Sequence, residues 1–198
     1  MALIQAHSGL GKSSFAMQAV DSIRKIGTHF RTDVTVVRNI CRDGEEFVPF
    51  SVFRKIILDM LVLKDAEENE VEDDSSLDIS ALSFDEISMV EGNTSDAIQL
   101  QRLRSLCAEM NYSDGIAIWL GYHLFDLSLN MEKDILVAED SKISPEESVA
   151  FIADAFLTCV SSLDFVLLGI DDAHNLDELS WQVLDQLLKR GENNLIVL

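Results

Sequence analysis

A phosphate-binding pattern lies near the start of the chain, in the stretch AHSGLGKSS. Residues 6 to 13 read A-x-x-x-x-G-K-S, the spacing of a loop whose backbone N–H groups surround nucleotide phosphate oxygens, with Ala6 in place of the usual first glycine. Lys12 would place its positive charge on the β- and γ-phosphates, and the Ser13 hydroxyl would bind Mg²⁺. The residues predicted to bind the nucleotide are Ala6, His7, Ser8, Gly9, Leu10, Gly11, Lys12, Ser13 and Ser14.

Two consecutive carboxylates end an apolar run later in the chain, in FVLLGIDD. Such a run predicts a buried strand, and ligands of open α/β sheets bind where the strands end. Because Mg²⁺ prefers hard oxygen ligands, Asp171 is the predicted metal ligand beside Ser13. Asp172 is the predicted general base that polarises the attacking water, so Asp172 and Lys12 are the predicted catalytic residues. The alternative interpretation is an Asp-rich turn before a helix, although Asp177 is the better candidate for the helix cap.

The elements that must position these residues alternate along the chain. Apolar and β-branched runs predict strands at residues 2 to 5, 33 to 40, 164 to 172 and 194 to 198. Helical periodicity predicts helices at 14 to 26, 50 to 63, 97 to 110, 114 to 129 and 178 to 189. The stretch S-P-E-E from Ser144 predicts a capping box with proline at the first helical position, and a further helix after it. We therefore expect one α/β domain over residues 1 to 198, a phosphate-loop three-layer sandwich with a parallel sheet that is incomplete at the C-terminus.

An acidic segment from residue 64 to 96 separates the second and third predicted strands, together with the helices that follow it. Carboxylates far outnumber lysines there and no periodicity is sustained, so we expect an insert loop without fixed structure. A Ca²⁺-binding or acidic interaction segment is the alternative, but the D-x-[DN]-x-[DN]-G spacing is absent from the sequence. In the helical part of the insert, Trp119 and His123 are expected to be packing neighbours rather than a ligand-stacking pair.

Composition limits the classes of partner. The chain has 198 residues, 47% of them hydrophobic, and a net charge of −20. Nucleic acids and anionic membranes reward Lys and Arg, so we expect neither as a partner. The three widely spaced cysteines suggest reduced thiols, and no apolar run approaches the ~20 residues of a membrane span, so a cytoplasmic location is expected.

Both ends of the sequence suggest a part of a longer polypeptide. Met1 is followed by only four residues before the loop pattern begins, whereas a strand usually has about five or six residues. At the other end, the chain stops within the apolar run that ends at Leu198.

The stretches IDDAHNLDELSWQVL and VRNICRDGEEFVPFSVFRKII resemble the ATPase domains of signal-transduction ATPases with numerous domains, the origin-recognition-complex-like AAA type. The matching positions of the first stretch are Asp171, Asp172, His174, Asp177 and Ser180, whereas Asn175 stands where that family usually has tryptophan. The resemblance implies ATP binding with slow hydrolysis, ATP and Mg²⁺ as the cofactors, and a switch role beside cyclase, kinase or helical-repeat modules, with self-association as an open alternative.

The family's sensor residue, last strand and helical lid come after the end of this sequence, so the resemblance also implies weak nucleotide binding by this chain alone. Three other functions stay open: a non-hydrolysing scaffold that nucleotide stabilises, a GTPase, and a small-molecule kinase. His174 would either touch the active-site water or simply start a helix, and His7 is given no catalytic role.

Overall fold

The computed structural model describes residues 12–30, 34–69, 96–128, 142–161, 163–190 and 195–197. The predicted strand at residues 2 to 5, the phosphate-binding loop up to residue 11 and the acidic segment from 70 to 95 lie outside the described residues.

Three parallel strands form the described sheet. They are β1 (Val34–Ile40), β2 (Phe165–Asp171) and β3 (Leu195–Val197), and they pair in the order β1-β2-β3. The register places Val37 beside Leu168 and Ile40 beside Asp171. The apolar middle of β2 is fully buried, as expected for a strand with neighbours on both sides. These strands confirm the predicted α/β character and three of the four predicted strands.

Six helices and two short 3₁₀ turns accompany the sheet in the described part of the chain. The helices are α1 (Lys12–Phe30), α2 (Ser51–Asn69), α3 (Asp96–Glu109), α4 (Asp114–His123), α5 (Pro145–Val160) and α6 (Glu178–Arg190); the 3₁₀ turns are Glu45–Phe47 and Ala173–Asn175. Helices α1 and α2 both contact β1, and α1 also contacts β2, while α2, α5 and α6 contact one another.

Aromatic rings hold the centre of the core. Phe53 of α2 and Phe156 of α5 meet edge to face, with ring centroids 6.1 Å apart and planes at 90°. Tyr112 and Phe151 make a second edge contact at 5.3 Å. Edge-to-face geometry is favoured because the positive ring edge meets the negative ring face. The core therefore joins α2 and α5 through directional as well as hydrophobic contacts.

Helices α1 and α2 extend further than the sequence predicts. Helix α1 passes through Gly27, which is buried, and ends at Phe30 instead of residue 26. Helix α2 begins at Ser51 rather than Phe50, because Phe50 has a left-handed backbone (φ 57°) and accepts the Arg54 N–H at the helix start. It then continues to Asn69, so residues 64 to 69 are helical instead of part of the predicted loop.

Helix α4 is shorter than predicted and ends at His123 instead of near residue 129. The chain turns there because the N–H of Phe125 donates to the Leu120 carbonyl and the N–H of Leu127 donates to the Gly121 carbonyl. Gly121 also permits close packing on α3, since a Cβ at that position would lie 2.8 Å from Leu100 Cδ1. Side-chain periodicity alone did not signal this backbone turn.

The predicted capping box of α5 is present in full. The Ser144 hydroxyl accepts the N–H of Glu147, the Glu147 carboxylate accepts the N–H of Ser144, and Pro145 occupies the first turn. In the described part of the chain, no helix combines the length and apolar character that a membrane span needs.

We expect Ser144→Ala to lower the free energy of unfolding by about 1 kcal/mol, the usual cost of losing a serine N-cap. Urea denaturation followed by circular dichroism measures this change. Ser105→Ala is the matched control, because Ser105 is exposed in the interior of α3 and alanine favours helices. An equal loss in the two variants would contradict a stabilising role for the capping box.

Candidate functional site

The carboxyl ends of β1 and β2 lie side by side. Ile40 is in register with Asp171, and the Cys41 N–H donates to the Asp171 carbonyl at 3.0 Å, which carries the pairing one step past β1. The two segments then leave the sheet side by side, the first into the loop before α2 and the second into the 3₁₀ turn before α6. The two predicted catalytic-site acids therefore lie at the edge where parallel sheets bind ligands.

Asp171 is the last residue of β2 and is partly buried, with 19% of its side chain exposed. Its Oδ2 accepts a charge-assisted hydrogen bond from Arg38 Nη2 at 3.4 Å, and its Oδ1 accepts the Asp172 N–H at 3.0 Å. Arg38 belongs to β1 and is in register with Gly169. A Cβ on Gly169 would lie 3.9 Å from Arg38 Cγ, an ordinary van der Waals contact, so the arginine stem lies against β2 at this position.

The role of Arg38 was not among the predictions from the sequence. The available signal was one cation inside the otherwise uncharged strand VTVVRNI. A charge on a buried strand needs a counter-ion, and the carboxylate at the end of the neighbouring strand supplies it. The same ion pair offsets part of the negative charge at the sheet edge.

Asp172 follows β2 directly and is exposed. Its backbone is left-handed (φ 52°, ψ 39°), a conformation that aspartate tolerates better than most residues other than glycine and asparagine. The Asp172 carbonyl accepts the N–H of Asn175 at 2.9 Å and so starts the 3₁₀ turn. The turn leaves the Asp172 carboxylate open to solvent, which suits a group that would act on a water molecule.

Asn175 joins the two loops at this edge. Its side-chain amide donates to Asp43 Oδ1 at 3.2 Å and to the Cys41 carbonyl at 3.5 Å, both in the chain after β1. The position was noted in the sequence only as a departure from tryptophan. Its amide NH₂ has two N–H donors for these two acceptors, whereas the indole of tryptophan has only one. His174, in the same turn, is exposed.

Asp177 caps α6, as predicted. Its Oδ1 accepts the Ser180 N–H at 3.0 Å and its Oδ2 accepts the Ser180 hydroxyl, and both residues are buried. A buried carboxylate that receives two hydrogen bonds at a helix start is well satisfied. Asp177 therefore fixes the direction in which α6 leaves the site.

Cys41 is a buried thiol at the same edge. Burial raises its pKa to about 12, and the carboxylates of Glu45, Asp172, Asp171 and Asp177 act in the same direction. A thiol with such a pKa stays protonated near neutral pH and is a poor nucleophile. Cys107 and Cys159 are also buried and form no disulfide, so all three cysteines pack in the core.

The phosphate-loop residues are described only in part. Residues 6 to 11 lie outside the described ranges, and the side chains of Lys12 and Ser13 do too, although both residues begin α1. Ser14 is exposed in the first turn of α1. Helix α1 contacts β1 and β2, the strands that carry Arg38 and Asp171. The described residues thus place the two acids at the end of β2, whereas the position of the phosphate loop beside them stays a prediction.

The metal-binding groups at this edge suit an ion that is held partly by the protein and partly by substrate phosphates and water, rather than by protein side chains alone. Among the described residues, no group of three or more His, Cys, Asp or Glu side chains is placed to hold a metal ion. Mg²⁺ commonly takes one or two carboxylates and completes its shell with water and substrate phosphates. Asp171 offers one such carboxylate.

Trp119 and His123 lie on α4, with ring centroids 5.1 Å apart. Trp119 packs against the core, while His123 is exposed and also meets the ring of Tyr122. This arrangement is the packing contact that the helical spacing predicts.

Comparison of the chain with protein-family models, with curated proteins and with solved structures found no match.

Proposed function

We propose that the chain binds Mg-ATP at the carboxyl edge of its sheet and hydrolyses it slowly, as a regulatory switch within a larger cytoplasmic signalling protein. One observation carries the proposal: the central parallel strand ends in Asp171, Asp172 follows it directly, and the helix that begins at Lys12 contacts that strand. A phosphate-loop pattern and a pair of acids at a strand end are each weak evidence alone. Here they support each other, because the helix that follows the loop contacts the strand that leads to the acids.

Each residue of the proposed site has a separate task. Lys12 would bind the β- and γ-phosphates, and the backbone of residues 6 to 11 would surround them. Ser13 and Asp171 would hold Mg²⁺, which when bound neutralises phosphate charge. Asp172, exposed beside Asp171, would orient and polarise the attacking water. Asp177 and Asn175 would keep the loops that carry these groups in place.

Lys12→Ala tests the proposal directly. We expect the variant to bind a fluorescent ATP analogue in the presence of Mg²⁺ at least about tenfold more weakly, because a charge-assisted hydrogen bond contributes roughly 1.5–3 kcal/mol. Fluorescence anisotropy measures the affinity. Lys25→Ala is the matched control, since Lys25 is an exposed lysine of the same helix.

Equal affinity of the Lys12→Ala variant and the unaltered chain would overturn the proposal. Competition of the bound analogue by ATP and by GTP separates an ATP site from a GTP site. The sequence contains no N-K-x-D motif for guanine, so ATP is expected to compete better.

The ion pair between Arg38 and Asp171 favours one alternative, a scaffold that binds nucleotide without hydrolysing it. An arginine already offsets the charge of the carboxylate that would meet the metal. In a scaffold, ATP would raise the melting temperature by mass action and no phosphate would be released.

A further inference from the structure

A second cavity lies away from the sheet edge, where the first turns of α2 meet α3 and the chain after α4. Its volume is about 310 Å³, at the lower end of the range for small-molecule sites. Its apolar lining is made by Val48, Leu58 and Phe125. Its polar lining includes Ser51, Arg54 and Lys55 at the start of α2 and Gln99 of α3.

Arg54 is the group in this cavity that most needs a partner. It is partly buried, and no hydrogen bond or ion pair joins its guanidinium to another of the described residues. Burial lowers the pKa of Arg54, while the exposed carboxylate of Asp126 acts in the opposite direction. Placing a cation in a partly dry site without a directly hydrogen-bonded counter-ion costs free energy, and an anionic ligand bonded to it would recover part of that cost.

The other polar groups that line the cavity also favour an anionic ligand. Lys55 adds a second cation, and the buried Ser51 hydroxyl makes no hydrogen bond within the described structure. Ser51 is also the first residue of the long helix α2, whose N-terminal end favours negative charge. These features stand out because the chain as a whole has a net charge of −20.

The charge of the lining limits the charge of the ligand. Asp59 also lines the cavity and is buried, and the nearby carboxylate of Asp126 acts on Arg54, so two cations stand against two carboxylates. Because the surroundings have no excess of positive charge, a ligand with one negative charge is better tolerated than a phosphate with two. The apolar lining would then cover the uncharged part of the same molecule.

We propose that this cavity binds a small organic monocarboxylate, with its carboxylate on Arg54 and Lys55 and its hydrocarbon part against Leu58 and Phe125. Asn175 links the sheet edge to the loop after β1, and α2 directly follows that loop. The ligand would therefore bind on the helix next to the proposed nucleotide site. The cavity is thus placed for an effector, and its lining contains none of the residues of the proposed nucleotide site.

Isothermal titration calorimetry on the full chain tests this assignment with phenylacetate and 3-methylbutanoate as probes. Phenylacetamide is the neutral control for shape, and inorganic phosphate is the control for charge. We expect both carboxylates to bind, and phenylacetamide and phosphate to bind at least about tenfold more weakly, because the carboxylate alone combines a single charge with an apolar part. Equal binding of phenylacetate and phenylacetamide, or tighter binding of phosphate, would overturn the proposal.

Arg54→Gln is the decisive variant, with Lys25→Gln as the matched control on an exposed lysine of α1. We expect Arg54→Gln to weaken phenylacetate binding about tenfold or more and leave phenylacetamide unchanged. Unchanged phenylacetate affinity in Arg54→Gln would refute the assignment.

Gln99→Glu keeps the test available if the arginine variant does not fold. It adds a carboxylate to the cavity lining and should repel phenylacetate but not phenylacetamide. A Gln99→Glu variant that binds both probes as before would also refute the proposal. Lys12→Ala should bind phenylacetate normally, so a failed nucleotide site leaves this result interpretable.

Discussion

Replacing Phe156 with alanine is expected to lower the free energy of unfolding by about 3–5 kcal/mol. Phe156 is 0% exposed and its ring meets the edge of Phe53, which is also 0% exposed. The variant loses the burial of a large ring, leaves a cavity between α2 and α5, and loses an aromatic contact that contributes about 0.5–1.5 kcal/mol beyond its area. Because a domain is stable by only about 5–15 kcal/mol, much of this margin would disappear.

Urea denaturation followed by far-ultraviolet circular dichroism measures the effect. Phe47→Ala is the matched control, since Phe47 is 82% exposed in the 3₁₀ turn before α2. We expect the control to change the free energy of unfolding by no more than about 0.5 kcal/mol, as surface substitutions usually do. Equal losses in the two variants would mean that the Phe53–Phe156 contact does not hold the core as described.

Asp172→Asn is expected to lower the rate of ATP hydrolysis by about 10²–10⁴-fold, the usual contribution of a general base. The amide keeps the size of the side chain and the left-handed backbone, which asparagine also tolerates, but it cannot accept a proton from water. Asp172 makes no side-chain cap bond to the 3₁₀ turn that it starts, so the substitution should leave the loop in place. Nucleotide affinity should therefore stay close to that of the unaltered chain.

Phosphate release under saturating Mg-ATP measures this turnover, and a parallel binding titration measures affinity. Glu178→Gln is the control, because it removes an exposed carboxylate from the first residue of α6 without touching Asp172. Unchanged turnover in Asp172→Asn would exclude this residue as the base. Nucleotide binding with no turnover in the unaltered chain would instead support the scaffold alternative.

Local sequence patterns predicted the elements whose cause is itself local. The capping box from Ser144 to Glu147 joins residues three positions apart, and the cap of Asp177 on Ser180 has the same spacing. The buried run FVLLGID needs only its own apolar content to indicate a central strand. The ends of α1, α2 and α4 were predicted less well, because packing at Gly27 and the turn after His123 decide them.

The candidate site shows the same division. The sequence alone was enough to place Asp171 and Asp172 at a strand end and to propose metal and base roles for them. It could not indicate that Arg38 meets Asp171 or that Asn175 binds Cys41, since these pairs are 133 and 134 positions apart. Nor could it indicate that Arg54 faces a cavity closed by Gln99 and Phe125 from other elements.

The sequence by itself thus determined the strands, the caps and the identity of the acids, because each depends on side-chain type and short spacing along one segment. Only the tertiary structure decided which charges meet. The parallel register of β1 with β2 sets Arg38 beside Gly169 and within reach of Asp171, and the packing of α2 on α3 leaves Arg54 at a cavity. Both outcomes depend on contacts between segments distant in the chain, whose geometry no single segment encodes.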